Sequence, residues 1–253
     1  MEVHHHSHHP KKWKEYLQEF LMLFFAVFLG FMSEYYLEYR AERHKEHDYL
    51  TSMIVDLNAD LNEMGNKDTS MNQLASSGNK LVEVIYKPTW EEADIDTIYL
   101  NSILLVTRFV NINFSSGTID QLRNAGGFRL IQNDQIVRKI SDYEKSKAAM
   151  MGQLSALMER WENVHRMQNQ LLHLTVFSAT DKLGNVVYNR EILNKIHAQT
   201  GNNFLTSDKN KFYEYANYVN VMKGYAAFYR VMSNMQQQKA RELIKLIEED
   251  MGH

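Results

Sequence analysis

The sequence predicts an all-α protein: an N-terminal transmembrane helix that continues into a stalk and then an extramembrane antiparallel helical bundle with two long helices. Three observations carry this. The 253 residues include 11 Gly and only 2 Pro, too few turn formers for a sandwich or barrel of short strands. One apolar run, Phe20 to Met32, stands out in a chain whose mean hydropathy is −0.45. Two later stretches hold apolar residues in four-three alternation over five heptads each. With 44% hydrophobic and 23% charged residues, most of the chain can bury a core.

Residues 1–10 form a His-rich head, MEVHHHSHHP, in which His4, His5, His6, His8 and His9 are candidate ligands for a divalent transition metal. Neutral imidazole suits zinc, copper or nickel, but no spaced carboxylate or scaffold defines a geometry here, so no cofactor is required. Pro10 suits the first turn of the helix that follows.

Residues 11–40 are the anchor. The thirteen residues FLMLFFAVFLGFM are too few to cross a bilayer, but extension to Leu17 and Leu37 gives twenty-one. At 1.5 Å per residue that is about 31 Å, close to the hydrocarbon thickness. Trp13 and Tyr16 at one end, and Tyr35, Tyr36 and Tyr39 at the other, are interfacial types. Phe31-Met32-Ser33-Glu34 offers no small-x-small cleavage site, so the segment reads as an uncleaved single-pass anchor in contact with membrane lipid.

On a helical wheel Glu19, Met22, Leu23, Ala26, Gly30, Ser33, Glu34 and Leu37 share one stripe, opposite Phe20, Phe24, Phe28, Phe31 and Tyr35. Ala26, Gly30 and Ser33 would let two backbones approach closely, which predicts a homo-oligomer. Glu19 and Glu34 lie on that face and are the candidate pore or proton path; the ordinary alternative is that both reach headgroup water. Lys11, Lys12 and Lys14 before the span balance Arg40, Arg43 and Lys45 after it. The short tail before the span favours an N-in anchor with the bundle in the periplasm.

Residues 41–66 read as a helical stalk, with Leu50, Ile54, Leu57, Leu61 and Met64 as its apolar stripe and Gly65-Asn66 as its stop. His44, His47 and Asp48 sit at i, i+3 and i+4, a spacing that allows a metal or proton site but is more simply a solvated face. Glu42 and Glu46 with Arg43 and Lys45 read as surface ion pairs.

Residues 67–253 form the bundle domain. A helix over Met71–Tyr86 ends before Pro88, and Thr89…Glu92 has capping-box spacing for a helix through Thr107. Thr118–Ala125 is a short helix stopped by Gly126-Gly127, one of which takes the left-handed cap. In the first long helix Ile136, Ile140, Tyr143, Met150, Leu154, Leu157, Trp161, Val164 and Leu171 hold the alternation, interrupted by Lys147 and Gln168. Asp208 caps the second, whose stripe runs from Phe212 to Ile247. Between them, 181–185 and 200–203 are turns, Val186–Tyr188 could form a short strand, and Asn189–Ala198 a helix. Such stripes, with bulky Trp161, Tyr215 and Tyr229, fit an antiparallel bundle core.

The His run followed by Lys-Lys-Trp-Lys-Glu-Tyr-Leu, the segment Glu38–Arg43, the segment Tyr49–Asp60, and Thr118–Asn133 with its Leu-x-x-x-Gly-x-x-x-Leu-Ile element together resemble a family. It is that of His-headed, single-pass inner-membrane proteins of the Bacteroidota, classed as a domain of unknown function. The resemblance spans roughly residues 1–65 and 115–145. It implies a Gram-negative host and an inner-membrane location, and it carries no activity and no functional residues.

The absence of cysteine excludes a disulfide framework, thiolate zinc, iron–sulfur clusters and a Cys nucleophile. A formal charge of −3 argues against nucleic acid as a partner. Gly126-Gly127-Phe-Arg129 lacks the strand and the Gly-Lys-Ser/Thr of a phosphate loop, and no G-x-S-x-G or H-E-x-x-H occurs. The expectation is therefore a non-catalytic, membrane-anchored, self-associating scaffold or accessory subunit whose helical domain binds a partner protein of a membrane complex. The alternatives are a homo-oligomeric ion channel or proton path lined by Glu19 and Glu34, and an extracytoplasmic ligand sensor.

Overall fold

The computed structural model describes residues 12–107, 112–124, 126–177, 179–180 and 186–252. The fold is all-α. It consists of α1 (Trp13–Ile85), α2 (Glu92–Thr107), α3 (Gly117–Asn124), α4 (Asp134–Leu171), α5 (Arg190–Thr200) and α6 (Lys209–Met251), with 3-10 turns at Gly127–Leu130 and Leu174–Phe177. Two-residue strands β1 (Ala179–Thr180) and β2 (Val186–Val187) pair antiparallel and add the only described strands.

Helix α1 runs for 73 residues without a break, about 110 Å at the standard rise. Gly65-Asn66 does not stop it, contrary to the sequence expectation, and the helix expected over 71–86 is its last part. An exposed helical glycine costs about 1 kcal/mol against alanine, whereas Met64 and Met71 on either side are buried, each worth about 1.5–3 kcal/mol. Packing outweighs the local cost. The hydroxyls of Thr69 and Ser70 also donate to the Gly65 and Asn66 carbonyls (3.4 and 3.5 Å), and Lys67 pairs with Glu63 at 3.3 Å across the site. The helix ends at Ile85, two residues short of the position before Pro88.

The segment expected as a stalk is part of the bundle. Leu50, Met53 and Leu57 are buried, packed with Ile136, Ile140 and Tyr143 of α4 and Ala240, Leu243 and Ile247 of α6, and the buried Asp60 meets Tyr143 at the same end of the bundle. Farther along, Leu74 to Ile85 share a second cluster with Met150 to Leu171 and Phe212 to Tyr229. So α4 runs alongside α1 away from the span, and α6 returns antiparallel to both. Cross-links at successive levels fix this register: Lys139 to Glu242 at 2.6 Å and Arg160 to the Tyr225 hydroxyl at 3.4 Å.

The expected stripes are the core. Every α6 stripe residue from Phe212 to Ile247 is buried, and so is every α4 stripe residue except Lys147 and Trp161, which are half-buried. The two polar interruptions are satisfied. The Gln168 amide donates to the Ser102 carbonyl and to the Tyr215 hydroxyl, both at 2.9 Å. Lys147 pairs with Glu144 and lies 5.7 Å from the Phe114 ring.

The caps follow sequence chemistry with one exception. Asp208 accepts from the Asn210 amide (2.9 Å), Asn189 from the Glu191 and Ile192 amides, and Gly126 is left-handed at φ 64°. Helix α2, however, opens at Glu92 rather than just after Thr89. The serving carboxylate is that of Asp94, which accepts from the Glu91 amide (3.2 Å) and from Lys87 (2.7 Å).

Candidate functional site

The candidate span is the apolar start of α1, with no residue of its most apolar stretch buried against the rest of the chain. Helices this apolar and this exposed are long enough to cross a bilayer. Ala26, Gly30 and Ser33 are exposed along one face, and a Cβ added at Gly30 would meet nothing within 4 Å. Phe20, Phe24 and Phe28 stack at 6.2 and 6.0 Å down the other. Glu19 and Glu34 are exposed on the small-residue side, fifteen positions or about 22 Å apart along the axis. One chain therefore sets one carboxylate at each end of the apolar run.

Just past this segment the candidate metal ligands His44, His47 and Asp48 are all exposed. His44 Nε2 lies 3.7 Å from Asp48, with side chains 79% and 62% exposed, and His47 is exposed. This is a solvated i, i+4 pair, and among the described residues no three His, Asp or Glu side chains are placed to hold a metal. His4, His5, His6, His8 and His9 lie outside the described residues. Of the other histidines, His165 stacks on Trp161 at 5.4 Å, and the His173 amide donates to the Tyr99 hydroxyl.

A carboxylate collar that sequence reasoning missed occupies the span end of the bundle. Glu46, expected on the surface, is only 8% exposed. It pairs with Arg43, its Oε1 accepts from the Gln132 amide at 2.6 Å, and Arg43 donates to the Leu130 carbonyl at 3.0 Å. Asp56 accepts from the Thr118 amide (3.1 Å), an unpaired N–H of the first turn of α3. Asp60, 2% exposed, accepts from the Ser115 amide (2.7 Å) and the Tyr143 hydroxyl (2.6 Å). Three acids of α1 thus pin the connection from 112 to 132. Gly127 packs under them: a Cβ there would stand 2.9 Å from Leu122 and 3.4 Å from the Tyr49 ring.

Burial raises the Asp60 pKa above its ordinary value, although its two hydrogen bonds and Lys147 pull the other way. Burial and the Asp60 carboxylate together raise that of the Tyr143 phenol. Both groups hold protons more tightly than in water, and both are engaged with each other. Their chemistry is that of a structural clasp.

Sequence pattern alone did not display this collar. In the structure Asp60 occupies a core position of α1, where an acid needs partners. The collar joins residues 43–60 of α1 to residues 115–132. Compared with family models, with curated proteins and with solved structures, the chain has no match in any of the three.

Proposed function

We propose that this protein is a non-catalytic scaffold or accessory subunit, anchored by a single span, that self-associates through Ala26, Gly30 and Ser33. The observation that carries the reading is the continuity of α1. One helix holds an unburied small-residue face at one end and the bundle core at the other, so association of spans sets the spacing of the domains above them. The location we propose is a bacterial inner membrane, with the N-terminus inside and the bundle in the periplasm, where its helical surface docks a partner subunit.

The missing cysteines make the test clean. Ser33→Cys is near-isosteric on the small-residue face, and Phe24→Cys is its control on the aromatic face. Oxidation of native membranes is expected to cross-link the first and not the second. Equal yields, or none, sink the proposal, and an adduct of Ser33→Cys with an unrelated protein shifts it to heteromeric assembly.

A second reading follows from the two acids on the packing face. In a symmetric assembly Glu19 and Glu34 would form one carboxylate ring at each mouth of the span, a cation or proton path. It predicts a cation leak in liposomes that Glu34→Gln reduces. Tight wild-type liposomes remove it.

A further inference from the structure

Helix α6 carries two apolar seams. The inner one is the bundle core. The outer one comprises Val221, Gly224, Phe228, Val231 and Met235, each two residues after an inner position and so about 200° round the helix. The four side chains of this seam are 48–57% exposed, although the spacing is that of the a and d positions of a coiled coil.

The face is also free of charge. Every exposed residue of α6 from Asn217 to Gln238 is uncharged, in a chain with 23% charged residues. The two cations of the central stretch, Lys223 and Arg230, are half-buried at its flank. Lys223 lies back over α1, where its Cδ stands 2.7 Å from the position of a Cβ on Gly78. A clear strip about 33 Å long results.

We infer that this strip is an interface between two copies of the chain, packed α6 against α6 in parallel. The uncharged face meets its own copy without like-charge repulsion, which a charged flank would impose. Its relief is self-complementary: bulky Phe228 adjoins small Gly224 and Ala227, so each phenyl ring has a hole beside its symmetry mate. Gly224 weakens the helix, and a Cβ there would meet nothing within 4 Å, so the space beside Phe228 is open to a second copy. The parallel sense rests on the membrane reading of the span, because anchors inserted in one direction orient every α6 alike. The strip itself does not depend on Ala26, Gly30 and Ser33.

The test uses the full chain in native membranes. Val231→Cys lies on the strip, and Val55→Cys, 64% exposed on α1, is its control. Oxidation is expected to give a disulfide-linked dimer from the first alone. Adding Phe228→Glu is expected to lower that yield at least about tenfold, which corresponds to only about 1.4 kcal/mol. Gly224→Ala, which favours the helix, is expected to lower the yield while the domain melts no earlier than the parent. No dimer at position 231, a yield unchanged by both second substitutions, or an adduct with a different protein each overturns the inference. A dimer through position 33 but not 231 removes this interface and leaves the span reading intact; the converse removes the span interface alone.

Discussion

Asp60 stands where the α1 stripe calls for an apolar side chain, and the fold keeps it by giving it donors. Its pKa is still raised above 3.8, because burial disfavours the ionised form more than those donors favour it. The folded state therefore binds the Asp60 proton more tightly than the unfolded chain does. That contribution to stability is fully present below the unfolded value and is lost as pH rises through the folded one. Asp60→Asn is expected to flatten this dependence: between neutral pH and about pH 4, wild-type melting temperature should rise relative to the variant as pH falls, followed by circular dichroism. A difference that does not change with pH would contradict the assignment. Tyr143→Phe leaves the buried carboxylate one donor short, and denaturant unfolding is expected to show a loss of about 1–3 kcal/mol.

Helices α4 and α6 were legible because their cores repeat every three and four residues with few interruptions, and local pattern alone orients such a helix. Helix α1 was legible only in part. Gly65-Asn66 is a local stop signal worth about 1 kcal/mol, and what overrides it is burial against α6, which no local pattern displays. Two substitutions separate these effects. Gly65→Ala, with nothing within 4 Å of the added methyl, is expected to raise stability by up to about 1 kcal/mol. Gly78→Ala is expected to lower the melting temperature, since its Cβ would stand 2.7 Å from Lys223 and 3.2 Å from Val219. The true α1 stripe passes through Met53 and Asp60, not Ile54 and Leu61, which are half-buried. Counting apolar residues hid it, because the acid at its centre is satisfied by Ser115 and Tyr143, 55 and 83 positions away. The collar was invisible for the same reason: its bonds are long-range, and an exposed and a pinned Glu46 look alike in sequence.

At the scale of the whole molecule, the apolar segment and the bundle lie at two ends of one helix, and the collar fastens the chain to that helix where the apolar segment gives way to the core. A tilt or rotation of the span has no hinge in which to dissipate before it reaches the core at Leu50. Such an arrangement suits a protein that fixes the distance and orientation of domains above a membrane. Two faces are exposed, Ala26-Gly30-Ser33 in the apolar segment of α1 and Val221 to Met235 on α6. Both proposed faces need more than one copy of the chain in the membrane. The most direct measurement is therefore the mass of particles taken from native membranes in lipid-containing polymer discs, without detergent. Particles holding two or more copies of the chain are the predicted result, and particles holding a single copy contradict it.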